Sequence, residues 1–374
     1  MIRMYTEKPQ ENRIYFFDAM RAILIFFIII IHILQSFNPN ASWLIYNNND
    51  IKIAPYIIDF LMLFTLQSFF IMSGYLAAMS IKKRNIQHFF HSRIKRVLIP
   101  VIVTSLTFNS FQAYLLNQLG WMNITLYSYL SEGRWVPHLW FLIDLAIFFL
   151  LTYLSIRFIN PILQKTLSIF NKIFEKGGLY TILFLFSFII LAFIILFSIL
   201  SPYIYNPIIN VRSMFFYFPF FILGTLLFLN KTIFKQFIQV DIIKTLLVTI
   251  PFGILSVYFE TPNNNNIKKI FYYFFNSSSN IFASALCFAL FYKFFNKKSK
   301  LFSFLAEASF SIYLFHHLIV IAISLLMIHF NIGGYLGFLI LLISVILITL
   351  SLHHFVISKI KILAFLYNGK KLKK

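Results

Sequence analysis

The chain has 374 residues, of which 60% are hydrophobic, 20% aromatic and only 11% charged. Soluble domains carry about 25% charged residues, so a soluble protein is excluded. The 32 basic residues against 11 acidic ones give a net charge of +21, and a single cysteine, Cys287 in an apolar run, excludes disulfides and thiolate metal or iron–sulfur sites.

A bilayer core about 30 Å thick needs about 20 apolar residues in a helix. Ten such runs follow one another, at approximately 14–34, 56–79, 97–117, 138–158, 179–200, 212–229, 241–259, 270–292, 303–328 and 335–357. The connections are short and hold most of the Asn, Pro and Lys, including four asparagines at 263–266, so no soluble domain is inserted. The expected fold is all-α: one polytopic membrane bundle of about ten transmembrane helices spanning 1–374. The first span follows Arg3, Lys8 and Arg13 and lacks a small-residue cleavage pattern, which reads as a retained anchor.

Position explains the charge. Of the 32 basic residues, 26 fall on the N-terminal segment, the even-numbered loops and the C-terminal tail. They include a basic loop at 80–96 and a basic tail at 358–374. The odd-numbered loops hold Lys52, Arg134, Arg212, Lys268 and Lys269, and Arg21 lies within a span. The positive-inside rule therefore places both termini in the cytoplasm, and nucleic-acid binding loses its main support.

A charged side chain in mid-membrane costs about 2.5–3.5 kcal/mol even on insertion scales, so each one requires a reason. The first span carries Asp18, Arg21 and His32. Eleven residues at about 100° each return Arg21 and His32 to within about 20° of one face, and Asp18 lies about 40° from His32. Asp18 and Arg21 are expected to neutralise each other, with His32 three turns further out. Two readings are open: a structural ion pair with a wetted histidine, or a polar channel with His32 as a general base.

Later spans add polar groups at compatible depths. Asp59 enters span two, which continues to Ser73 and the small Gly74. His138 and Asp144 open span four behind Pro137, and His316 and His317 sit near the middle of span nine. Each also fits an interhelical hydrogen bond. Trp135 and Trp140 are expected in the outer aromatic belt. Between spans two and three, KKRNIQHFFHSRIKR places Arg93 and Arg96 on one face of an expected interfacial helix; lipid headgroups and a phosphate-rich donor are both suitable partners. There is no G-x-S-x-G elbow, Walker loop, G-x-G-x-x-G or metal-spaced Cys/His set, which leaves a histidine-assisted transfer.

R-x10-H from Arg21 to His32, R-x-x-R from Arg93 to Arg96, FFIMSGY at 69–75 and SIYLFHH at 311–317 resemble the acyltransferase 3 family of membrane acyltransferases. FFDAMRA at 16–22, PHLWFL at 137–142, FYFPFFILG at 216–224 and FLYNGK at 365–370 resemble, in the same order, segments of members that succinylate osmoregulated periplasmic glucans. The likeness covers nearly the whole chain. It implies a bacterial inner-membrane enzyme with no tightly bound cofactor. The donor would be cytoplasmic acyl-CoA, as succinyl-CoA or acetyl-CoA, and the acceptor a sugar hydroxyl of a periplasmic glucan or related envelope glycan.

Carried over residue by residue, the resemblance makes His32 the catalytic histidine, Arg21 the charged member of its motif, and Arg93 with Arg96 a donor-side pair for coenzyme A phosphates. Met62 and Thr65 stand where the glucan-modifying members tend to have a histidine and an arginine, which leaves succinyl and acetyl both open. On this reading His32 removes the proton of the attacking hydroxyl, Asp59 or Asp144 orients its imidazole, and Arg21 or one of His316 and His317 stabilises charge on the thioester carbonyl. Lipopolysaccharide, exopolysaccharide or peptidoglycan would be alternative acceptors. A secondary transporter or flippase is the competing class, and it predicts paired broken helices that this sequence lacks.

Overall fold

The computed structural model describes residues 13–40, 43–47, 49–84, 86–158, 160–204, 206, 208–260 and 266–369. Arg3, Lys8, most of the asparagine run and the last five residues of the basic tail lie outside them. The described residues form helices α1 (Tyr15–Gln35), α2 (Ala54–Met62), α3 (Thr65–Arg84), α4 (Ile86–Thr104), α5 (Ser110–Gln118), α6 (Leu126–Ser131), α7 (Trp140–Phe158) and α8 (Asn160–Leu200). These are followed by α9 (Val211–Leu229), α10 (Lys231–Phe237), α11 (Ile242–Phe259), α12 (Asn266–Phe295), α13 (Lys300–His329), α14 (Gly334–Ser351) and α15 (Lys361–Asn368). No strand occurs among them, as a bilayer-spanning chain requires of anything but a closed barrel.

Among the described residues, nine helical stretches are long and apolar enough to cross a membrane, and a tenth, Trp140–Ile156, is apolar but shorter. All ten coincide with the hydropathic runs, so the protein is a multi-pass membrane bundle. Helix starts follow capping chemistry: the side chains of Asn210, Asn230, Asp241 and Ser299 accept from backbone N–H groups of α9, α10, α11 and α13.

Three local features differ from the expectation. The basic segment before span three is not a separate interfacial helix: Lys82, Lys83 and Arg84 close α3, and from Ile86 it forms the first turns of α4, which runs on through a π-helical stretch at Ser105–Asn109 into α5. A π-turn frees carbonyls from the helical ladder, and in an apolar surrounding they need partners. Tyr129 and Ser110 both donate to the Ser105 carbonyl, at 2.6 and 2.9 Å. Second, the connection before span five is itself helical, and α8 bends at Gly178, where φ is 71° and a side chain would be strained. Third, a π-helical stretch at Leu352–Ile357 follows α14.

Close packing of α3 on α9 explains two of the recognisable segments. A Cβ on Gly74 would collide with the Phe221 carbonyl, and one on Gly224 with the Ile71 carbonyl. Two small residues thus let the backbones of FFIMSGY and FYFPFFILG touch, the usual device where lipid offers no hydrophobic drive for helix association. At the other edge α15 ends on Gly369, φ 57°, packed on the Arg96 backbone. Tyr367 bonds Thr107 at 3.2 Å and lies against Phe315, which ties the FLYNG segment to the π-helical stretch at Ser105–Asn109 and to α13.

Candidate functional site: a histidine cluster behind a basic cavity

His32 sits in the last turn of α1. Around it the fold gathers His316 and His317 from the middle of α13 and His138 from the turn before α7. Ring centroids lie 5.2 Å apart for His32–His316 and for His32–His317, 5.5 Å for His138–His316 and 4.6 Å for the stacked pair His138–His317. Trp43, from the segment between α1 and α2, covers His32 and His317. His138, His316 and His317 are buried, whereas His32 keeps partial exposure.

The hydrogen bonds assign the tautomers. His32 Nδ1 meets Gln35 Oε1 at 2.9 Å and His317 Nδ1 meets Gln112 Oε1 at 2.7 Å. His316 Nδ1 faces the backbone carbonyls of Ile312 and Tyr313 at 3.1 and 2.8 Å, and His138 Nε2 faces that of Leu314 at 3.3 Å. A carbonyl oxygen only accepts, so in each neutral ring that nitrogen carries the proton and the other presents a lone pair. Two of those lone pairs, on His138 Nδ1 and His316 Nε2, are buried without a hydrogen-bond partner among the described residues. The cluster is thus rich in bases and poor in donors. No group of three or more His, Cys, Asp or Glu among the described residues has metal-binding geometry.

A cavity of about 500 Å³ opens at the end of the bundle where α1 begins and α3 ends. Arg13, Arg21, Arg93 and Arg96 line it against Asp18 and Glu307, and Asn368 of α15 joins its wall. Deeper in, its walls become apolar with Ile25, Ile28, Phe69, Met72 and Phe141, and Tyr313 also lines it. The Tyr313 ring stands 6.0 Å from that of His316 and 5.8 Å from that of His138, and its hydroxyl donates to the His138 carbonyl. Tyr313 is the partition between cavity and cluster.

Asp18 pairs with Arg13 at 2.6 Å, not with Arg21, which instead faces the cavity. Eleven residues of helix separate Arg21 from His32 by about 16 Å, so Arg21 belongs to the cavity and not to the cluster. Asp144 is buried and accepts from Ser213 at 2.6 Å, and Asp59 is exposed; the His32 imidazole is oriented by Gln35 instead. Gln35, Gln112, Trp43 and Tyr313 are further members of the site that sequence reasoning did not single out; only Tyr313 falls within a recognisable segment, SIYLFHH. His138, within PHLWFL, joins the cluster from a span distant in sequence.

A second cavity of about 550 Å³ lies at the opposite end, lined by Glu132, Pro137, Trp140, Asn206, Asn210 and Arg212 among others. The turn that carries His138 inward forms part of its wall.

No solved structure matches the chain. It is 27% identical over 380 residues to glucans biosynthesis protein C of Salmonella gallinarum, covering 97% of this chain and 95% of that protein. It is 26% identical over 373 residues to the protein of the same name from Escherichia coli strain SMS-3-5, covering 96% and 95%. The family profile described as an acyltransferase domain matches residues 14–354, which takes in Arg21, Arg93, Arg96, the apolar passage and all four histidines. The chain therefore belongs to the acyltransferase 3 family and is a membrane acyltransferase.

Proposed function

We propose that the protein transfers a short acyl group, succinyl or acetyl, from acyl-CoA to a sugar hydroxyl of a periplasmic glucan or related envelope glycan across the bacterial inner membrane. The observation that carries this reading is the passage from the four arginines to Tyr313, with the His32 cluster directly behind it. The basic end is cytoplasmic by the positive-inside rule, so the donor enters there. Arg93 and Arg96 suit its phosphates, Arg13 and Arg21 add to the positive field, and the apolar walls take the pantetheine arm and acyl chain. The opposite cavity, with Trp140 and the amides of Asn206 and Asn210, suits a saccharide acceptor.

At the meeting point His32 is the general base. Its Nδ1–H is held by Gln35, so Nε2 offers a lone pair, and its partial exposure lets a hydroxyl approach. Fixing the hydroxyl beside the thioester carbonyl supplies proximity, and proton removal contributes a factor of about 10²–10⁴. Asp144 and Asp59 act elsewhere in this scheme, through Ser213 and at the surface.

The test compares mass spectra of periplasmic glucans and envelope polysaccharides from wild type, a deletion strain and His32→Ala. Loss of one acyl substituent in both mutants is expected, and its mass distinguishes succinyl from acetyl. Full acylation in His32→Ala would remove His32 from the chemistry. A change confined to lipopolysaccharide, exopolysaccharide or peptidoglycan would reassign the acceptor.

A further inference from the structure

Acyl transfer leaves one proton to be moved: it begins on the acceptor hydroxyl and ends on the thiol sulfur. His32 is positioned to take it, while the sulfur trails back towards the donor cavity. His316 neighbours both His32 and a residue that lines that cavity. Its ring is 5.2 Å from that of His32 and 6.0 Å from that of Tyr313, which lines the cavity.

Two further features single out His316. Its Nδ1–H is shared by two backbone carbonyls, which fix the ring and leave Nε2 as its basic nitrogen. Its Nε2 is buried with a lone pair and no hydrogen-bond partner among the described residues, a costly arrangement that calls for a function. His317 is equally near His32, but it is packed under Trp43 and stacked on His138. His138 has a similar unpartnered nitrogen, but its ring contacts among the described residues are with His316, His317 and Tyr313 and do not reach His32.

We propose that His316 is a second acid–base residue, receiving the hydroxyl proton from His32 and delivering it to the leaving sulfur. The inference rests on the acyl-transfer reading above. An electron pair of the hydroxyl oxygen forms the C–O bond to the thioester carbonyl carbon as its proton passes to His32 Nε2. The C–S bond then breaks and its pair leaves with sulfur. The proton moves from His32 to His316 Nε2 and on to that sulfur, so the products are an ester and a free thiol and both imidazoles end neutral.

The experiment uses the full-length protein in nanodiscs, with a glucose oligosaccharide as acceptor and thiol release as the readout. Two donors carry the same acyl group, one as its CoA thioester and one as its thiophenol thioester, whose thiolate departs without needing a proton. His316→Gln is expected to slow the CoA thioester about 10²-fold and to leave the thiophenol thioester near the wild-type rate. That rescue also shows the variant is folded. His32→Gln should be slow with both donors; unchanged rates in it would instead remove the base reading itself.

Equal loss on both donors in a His316→Gln protein with wild-type thermal unfolding overturns the proposal, as does no loss on either. If the variant unfolds, the wild type decides. A larger rate ratio between H2O and D2O for the CoA thioester than for the thiophenol thioester supports the second transfer, and equal ratios overturn it.

Discussion

At the basic end of the passage, Arg13, Arg21, Arg93 and Arg96 face an open cavity, and Arg13 pairs with Asp18 at the start of α1. At the other end, four imidazoles from three separate parts of the chain are held by carbonyl oxygens at 2.7–3.3 Å, and three of them are buried. The first region works by field: long, partly solvated side chains give affinity that is tolerant of small displacements. The second works by position, since each ring has one proton and one defined lone pair. Substitutions should therefore change donor binding at one end and turnover at the other.

The largest effect is expected at the histidine end. His32→Ala should lower kcat by about 10²–10⁴-fold with donor KM little changed, read from steady-state thiol release. Gln35→Leu should lower kcat by about tenfold, the equivalent of one hydrogen bond that no longer selects the Nε2 lone pair. At the basic end, Arg93→Ala combined with Arg96→Ala should raise the donor KM by about tenfold, leave kcat nearly unchanged and reduce the salt sensitivity of binding. A fall in kcat without a change in KM would erase the distinction between the two regions. The smallest effect is expected in the opposite cavity: Trp140→Ala should raise the acceptor KM about three- to tenfold and spare donor KM, because only one stacking face is lost.

The same contrast explains what could be read from the sequence. Hydropathy and charge placement are local properties, and they located the nine helices among the described residues that are long and apolar enough to span, the shorter apolar helix at Trp140–Ile156, and the basic segment that carries Arg93 and Arg96. Helical periodicity likewise put Arg21 and His32 on one face. The partner of Asp18 was not legible, because Arg13 lies before the helix and reaches it by side-chain length, whereas Arg21 turns into the cavity. The histidine cluster depends on how α1, α7 and α13 are set against one another, and periodicity within a span carries no such information. His138 was visible as a polar group at a helix start, yet only the packing joins it to His316 and His317. Gln35 and Gln112 are ordinary amides until a ring nitrogen is placed 2.9 or 2.7 Å away. The π-helical stretch in span three arises where Tyr129 and Ser110 capture a freed carbonyl, a tertiary event.

The central claim is that a donor from the basic end and an acceptor from the opposite end meet at His32. Proteoliposomes test it directly when a glucose oligosaccharide is enclosed and radiolabelled acyl-CoA is added only outside, to protein oriented with its basic end outward. Label on the enclosed oligosaccharide with wild type, and none with His32→Ala, is the predicted result. Acylation only of oligosaccharide on the same side as the donor, or equal labelling in His32→Ala, would contradict it.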